Sequence, residues 1–162
     1  MFDTLEYSGE VTLKFLHNGK DITAILHNEG TPSLFKLLAR ALAGYDTRIE
    51  TPKKLQLYKK GSAGEYISIL KSPIPLTGIT YTQLDNDWCA LFTGVINSTN
   101  LSTTPEATIT YYLALTSSSD VDLAYLTVPA DFLTNLKRGV QGLVEWRMKV
   151  KNVSESTNGG TN

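Results

Sequence analysis

The chain has 162 residues, 41% apolar and 19% charged, with a formal net charge of −1 and a pI near 6.1. That length suits one ordinary domain, able to bury its own core without a disulfide or a structural metal. The charge balance excludes the basic face that phosphate contacts need. Lys53-Lys54 and Lys59-Lys60 are the largest basic groupings, so nucleic acid is not an expected partner.

The opening decapeptide, MFDTLEYSGE, has neither the basic start nor the apolar run of a secretion signal. No stretch approaches the apolar length needed to cross a bilayer as a helix. The expectation is a chain made in a cytoplasm, with no membrane partner. Three Asn-x-Ser/Thr sequons, at Asn97, Asn100 and Asn152, then read as chance in an Asn/Ser/Thr-rich sequence.

The first element is a hairpin. Val11, Leu13 and Phe15 alternate with polar residues, as do Ile22, Ala24 and Leu26, around Asn18-Gly19, the dipeptide suited to a type I′ turn. HNEGTPSLFKLLARALAGYD follows and breaks the β pattern. Thr31 is placed to cap a helix, Pro32 suits its first position, and Gly44 suits the left-handed residue after its end. The spacing predicts a helix over 32–43 with a wide apolar face of Leu34, Phe35, Leu38, Ala41 and Leu42. Lys36 and Arg40 lie on the other side.

The remainder returns to strand. KKLQLYKK (53–60) and EYISILKS (65–72) flank the small loop GSAG. SPIPLTG cannot be a central strand, because proline lacks the ladder donor. GITYTQL (78–84) alternates, Asp85-Asn86-Asp87 turns the chain, and WCALFTGVIN (88–97) reads as a strand buried on both faces or at a sandwich centre. ATITYYLALTS (107–117) and DLAYLTVP (122–129) are further strands. PADFLTNLKRG (129–139) has a start and a stop for one or two helical turns. GLVEWRMKVKN (142–152) sets Leu143, Glu145, Arg147 and Lys149 against Val144, Trp146, Met148 and Val150, one charged face and one apolar. The tail SESTNGGTN has no apolar residue and reads as a flexible segment.

The predicted fold is therefore all-β and mainly antiparallel: a β-sandwich or barrel-like sheet of eight or nine strands with one capping α-helix. Residues 1–152 form a single domain and 153–162 a polar tail. Leu34, Phe35, Leu38, Ala41 and Leu42 are expected to close one end or edge of the sandwich, or in part to dock a neighbouring subunit.

Catalytic signatures are missing. The single cysteine, Cys89, sits in an apolar run, and the two histidines, His17 and His27, lie ten residues apart. Asp85 and Asp87 lack the third carboxylate and glycine of a calcium loop, and DVD at 120–122 reads likewise as a turn. There is no G-x-S-x-G, P-loop or G-x-G-x-x-G. No catalytic residue, metal or cofactor is expected. Tyr58, Tyr66, Tyr81, Tyr111, Tyr112 and Tyr125 are spread over several strands, and two or three gathered at one end would form a glycan platform.

Asn28, Gly30, Thr31, Pro32, Leu34, Phe35, Leu38, Ala39, Ala41, Leu42 and Gly44 form N-x-G-T-P-x-L-F-x-x-L-A-x-A-L-A-G. With Pro52, Leu55 and Leu57 after it, and the closing strand Gly142 to Asn152, the chain resembles small virion proteins of tailed bacteriophages, of the head-decoration, head-fibre, collar or tail-adaptor kind. The resemblance implies a non-enzymatic structural component of the virion, assembled in the bacterial cytoplasm. Its partners would be capsid, portal or tail proteins and further copies of itself, in a homo-oligomer. The alternative is a carbohydrate-binding β-sandwich module for host-surface recognition.

Overall fold

A computed structural model describes residues 5–17, 20–84 and 87–152. The Asn18-Gly19 turn, the Asp85-Asn86 part of the next predicted turn, and the tail from 153 lie outside these residues.

Two antiparallel sheets carry the fold. One runs β2-β1-β11-β8-β7, from strands β1 (Leu5–His17), β2 (Lys20–His27), β7 (Gly78–Leu84), β8 (Asp87–Ile96) and β11 (Gly142–Asn152). The other runs β3-β10-β9-β4-β5, from β3 (Glu29–Gly30), β4 (Pro52–Lys60), β5 (Tyr66–Ser68), β9 (Tyr111–Ser117) and β10 (Asp122–Thr127); β6 (Ile74–Pro75) also pairs with β4. The predicted all-β sandwich is the observed class.

The chain changes sheets at both margins. Asn28 separates β2 from β3, and its N–H donates to the Gly9 carbonyl at 3.2 Å. At the other margin the switch falls between adjacent residues. Leu76 N donates to Lys53 in one sheet, and Thr77 N donates to Thr93 in the other. These crossings give the sandwich its barrel-like margins.

Side-chain alternation fixes which face is buried. In β11, Val144, Trp146 and Met148 point inward and meet Leu13, Val11 and Gly9 across the β1 ladder. The outward residues form a cross-strand network: Lys14 to Glu145 at 3.0 Å, Arg147 to Glu145 at 3.0 Å, and Arg147 to Thr12 at 3.0 Å. The predicted apolar and charged faces of this strand are both present. β8 lies between β11 and β7 and is buried on one face rather than both. Phe92, Gly94 and Ile96 are buried on its inner side, but Leu91, Thr93 and Val95 are only half-buried. It is one-sided because nothing in the described chain lies over its outer face except neighbouring side chains.

Two predicted strands are shorter than expected. β9 begins at Tyr111 rather than 107, because Ile109 N turns back to Glu106 and the Tyr111 hydroxyl accepts from Glu106 N at 2.9 Å. β5 keeps only Tyr66–Ser68. Ile69 N still donates to Leu57 of β4, and beyond it the chain leaves that ladder, with Lys71 N donating to Asn100 and Leu70 bridging to Leu101.

Helix α1 (Pro32–Leu42) stops one residue before the predicted end. Thr31 caps it, its Oγ1 accepting from Leu34 N at 3.4 Å, and Gly44 takes the left-handed φ of 85° just past the end. Helix α2 (Ala130–Lys137) is two turns long. It buries Phe132, Leu133, Asn135 and Leu136, half of its residues, with Phe132 packed on Phe15 at 4.8 Å between ring centroids. This helix plugs the sandwich at the Phe15–Gly142 end. A truncation such as Phe132→Ala there would cost about 3–5 kcal/mol.

The helical turns expected over 129–139 are α2, and this helix, rather than α1, is the fuller plug. α1 lies toward the other end of the sheets, where β10 begins, and buries only Leu34 and Leu37. Leu38 is partly buried against the core. Ala41 and Leu42 are exposed, and Phe35 is half-exposed. Phe35 is 50% exposed and Leu42 80% exposed.

Candidate functional site

Two surface features stand out, one apolar and one polar. The apolar one is the end that α1 leaves open. Thr31 fixes the start of the helix against β10, donating its hydroxyl to the Asp122 carbonyl at 2.7 Å. The helix then runs beside the inner side of β7 and β8 without covering it. A cleft of about 300 Å³ remains, lined by Leu34, Leu37 and Leu38 from the helix and by Tyr81, Trp88 and Met148 from the sheet. Tyr81 and Trp88 stack at 4.6 Å with their planes 15° apart. They are 71% and 51% exposed. Just beyond the helix, Tyr45 and Ile49 are also exposed. Arg40 lies over the Tyr45 ring at 4.7 Å and pairs with Glu50 at 3.1 Å, which orders this turn.

Of the five predicted docking residues, Leu34 and Leu38 line the cleft and Phe35, Ala41 and Leu42 face outward. The helical pattern identified the apolar stripe but not its division. It also missed Tyr81 and Trp88, which meet only through the β7–β8 pairing, with Tyr81 opposite Ala90 and Gln83 opposite Trp88. The signal available was the aromatic on each arm, Tyr81 four residues before the Asp85-Asn86-Asp87 turn cluster and Trp88 directly after it.

The polar feature is a tyrosine face on the outer side of the second sheet. Tyr58 lies directly opposite Tyr112 across the β4–β9 ladder. Tyr66 sits among three rings, 5.6 Å from Tyr58, 5.4 Å from Tyr112 and 5.8 Å from Tyr125. The Lys60 amine lies 5.6 Å from the Tyr66 ring centre and 5.4 Å from that of Tyr112, within cation–π range. The Tyr58 hydroxyl donates to Asp122 Oδ1 at 2.9 Å. Burial and the neighbouring carboxylate push the Tyr58 phenol well above its ordinary value. Burial raises the Asp122 carboxyl, Asp120 adds to that, and the Tyr58 hydrogen bond opposes it. Beside these rings a cleft of about 480 Å³ opens toward the β2–β3 corner, where His27 and Glu29 form its rim.

The other sequence candidates are structural. Cys89 is buried, and Tyr111 belongs to the core. The DVD segment is a turn: Asp120 takes φ 62° and bonds Lys54 at 3.0 Å, while Ser117 Oγ accepts from Ser119 and Val121. Among the described residues no three His, Cys, Asp or Glu side chains come together as around a metal ion. No helix among them is long and apolar enough to cross a membrane.

The fold and these sites define an antiparallel two-sheet β protein with one closed end, one open apolar end and a tyrosine-rich face. Family models, curated proteins and solved structures give no match to the chain.

Proposed function

We propose that the chain is a non-enzymatic structural component of a bacteriophage particle, acting in assembly or decoration through protein–protein contacts. The observation that carries assembly by contact is the uneven use of the two helices. α2 buries half its residues, whereas α1 buries only Leu34 and Leu37 and leaves Leu42 exposed, next to an apolar cleft with the stacked Tyr81–Trp88 pair. Clustered apolar surface of this kind marks an interaction site rather than a scatter of surface residues. The assignment to a phage particle rests on the resemblance of the 28–44 and 142–152 stretches to small virion proteins.

The first partner in this reading is a second copy. Among the described residues β7 ends its sheet, with a strand on one side only. An edge strand presents main-chain groups to a further strand, and Ile79 and Tyr81 are exposed on β7. Antiparallel pairing of β7 with the β7 of a second copy is self-complementary across a twofold axis. It carries Ile79 and Tyr81 of both copies into one apolar layer. Mass spectrometry of density-purified particles of the encoding phage tests the assignment. The chain is expected as a stoichiometric particle protein, and its absence from particles of a phage that expresses it overturns the assignment.

A further inference from the structure

We infer that the tyrosine face of the second sheet is a saccharide-binding site, independent of the apolar end. A pyranose presents flat C–H surfaces and a rim of hydroxyls. A protein site for it therefore needs aromatic faces together with donors and acceptors close by. Tyr66, Tyr112 and Tyr125 supply the rings, and their bonding to one another and to Lys60 holds them in place. Tyrosine suits this task because each ring is apolar on its face and wet at its hydroxyl.

The polar partners converge on the same cleft from another part of the chain. Lys60 donates only, ionised Glu29 accepts only, and His27 can do either. All three border the cleft with the tyrosines. One cation and one carboxylate leave the site near neutral, which suits an uncharged sugar better than a uronic or sialic acid. The cleft, about 480 Å³, is within the range of small-ligand sites and has room for a mono- or disaccharide unit. Tyr58 takes a different part. Its hydroxyl is committed to Asp122, so it anchors the layer beneath Tyr66.

The sheet geometry explains why these groups are assembled. Four outward tyrosines from four strands converge on one patch, where their cross-strand contacts also stabilise the sheet. Tyr66 is 39% exposed at the centre of it. Such rings remain available to stack on a ligand.

The test uses the whole chain. An array of neutral bacterial-surface glycans is probed first. Chemical-shift titration with methyl β-glucopyranoside, methyl β-galactopyranoside and N-acetylglucosamine follows. Saturable binding is expected, with shifts at Tyr66, Tyr112 and Tyr125. Tyr66→Ala should weaken it on the order of tenfold, as expected for loss of one stacking contact. Lys60→Met should weaken it while leaving the amide spectrum otherwise unchanged. Trp88→Ala, at the other site, should leave it unchanged. No binding on array or in titration overturns the inference. So does binding that survives Tyr66→Ala and Lys60→Met, or binding that requires Trp88.

Discussion

Gly94→Ala is a substitution for which two physical arguments give opposite signs. Glycine inside a strand costs conformational entropy, so alanine there should gain roughly 0.5–1 kcal/mol. The packing reverses this. Gly94 lies on the inner side of β8, and a Cβ built on it lands against Leu55 Cδ1, 3.2 Å from Leu55 Cγ and 3.6 Å from Leu76. Leu55 is fully buried and held in register opposite Leu115 and Ile74. Its methyl cannot swing away into solvent. Overpacking by one methyl in such a place costs about 1–3 kcal/mol, which outweighs the entropy gain. The expected net loss is about 0.5–2 kcal/mol. Leu55→Ala alone should cost about 2–5 kcal/mol by opening a cavity. In the double variant the new methyl moves into that cavity, so the two losses should fall short of their sum by about 1–2 kcal/mol. Urea unfolding, followed through the fluorescence of buried Trp146, measures all four corners of the cycle. A Gly94→Ala variant at least as stable as the parent refutes the close approach of the two sheets at this point. So does strict additivity with Leu55→Ala.

Thr31→Ala removes both the α1 cap and the hydroxyl donated to the Asp122 carbonyl, and should lower stability by about 1–2 kcal/mol, while Thr31→Ser retains most of it. Thermal unfolding reads this as about 2–4 °C per kcal/mol for a chain of this size; equal midpoints for the alanine and serine variants would contradict the capping role. Asp122 gives a pH dependence. Its carboxyl is raised in the folded protein, chiefly by burial, so the folded state holds the proton more tightly than the unfolded chain. The group's stabilising contribution is complete below the unfolded-state pKa of about 3.9 and is lost as pH rises through the raised value. Asp122→Asn, which can still accept from Tyr58, should therefore gain on the parent as pH rises through that window. Urea midpoints across pH check this, and a variant that loses ground on the parent over that window would contradict the reading.

The first hairpin, the α1 boundaries and the two-faced closing strand were legible in the sequence because each is encoded locally. Asn18-Gly19, Thr31-Pro32 and the alternation of Val144, Trp146 and Met148 all act within a few residues of themselves. The rest depended on pairing between distant segments. Nothing local says that β11 lies between β1 and β8, so the outer face of WCALFTGVIN looked as apolar as its inner one. The burial of α1 failed for the same reason. Leu34, Leu37 and Leu38 share a stripe with Phe35 and Leu42, but only the position of the sheets decides which half is covered. The tyrosine face is an extreme case, since Tyr58, Tyr66, Tyr112 and Tyr125 come from four strands. Lys60, two residues after Tyr58 and so on the same side of β4, was the one local hint that a cation joins them.

Sedimentation equilibrium tests the open apolar end most directly. The parent chain should associate in a concentration-dependent way, with dimers as the first species. Trp88→Asp and Leu42→Asp, each confirmed as folded by an unchanged Trp146 environment, should remain monomeric. A parent that stays monomeric at every accessible concentration would contradict the account. So would association that neither substitution weakens.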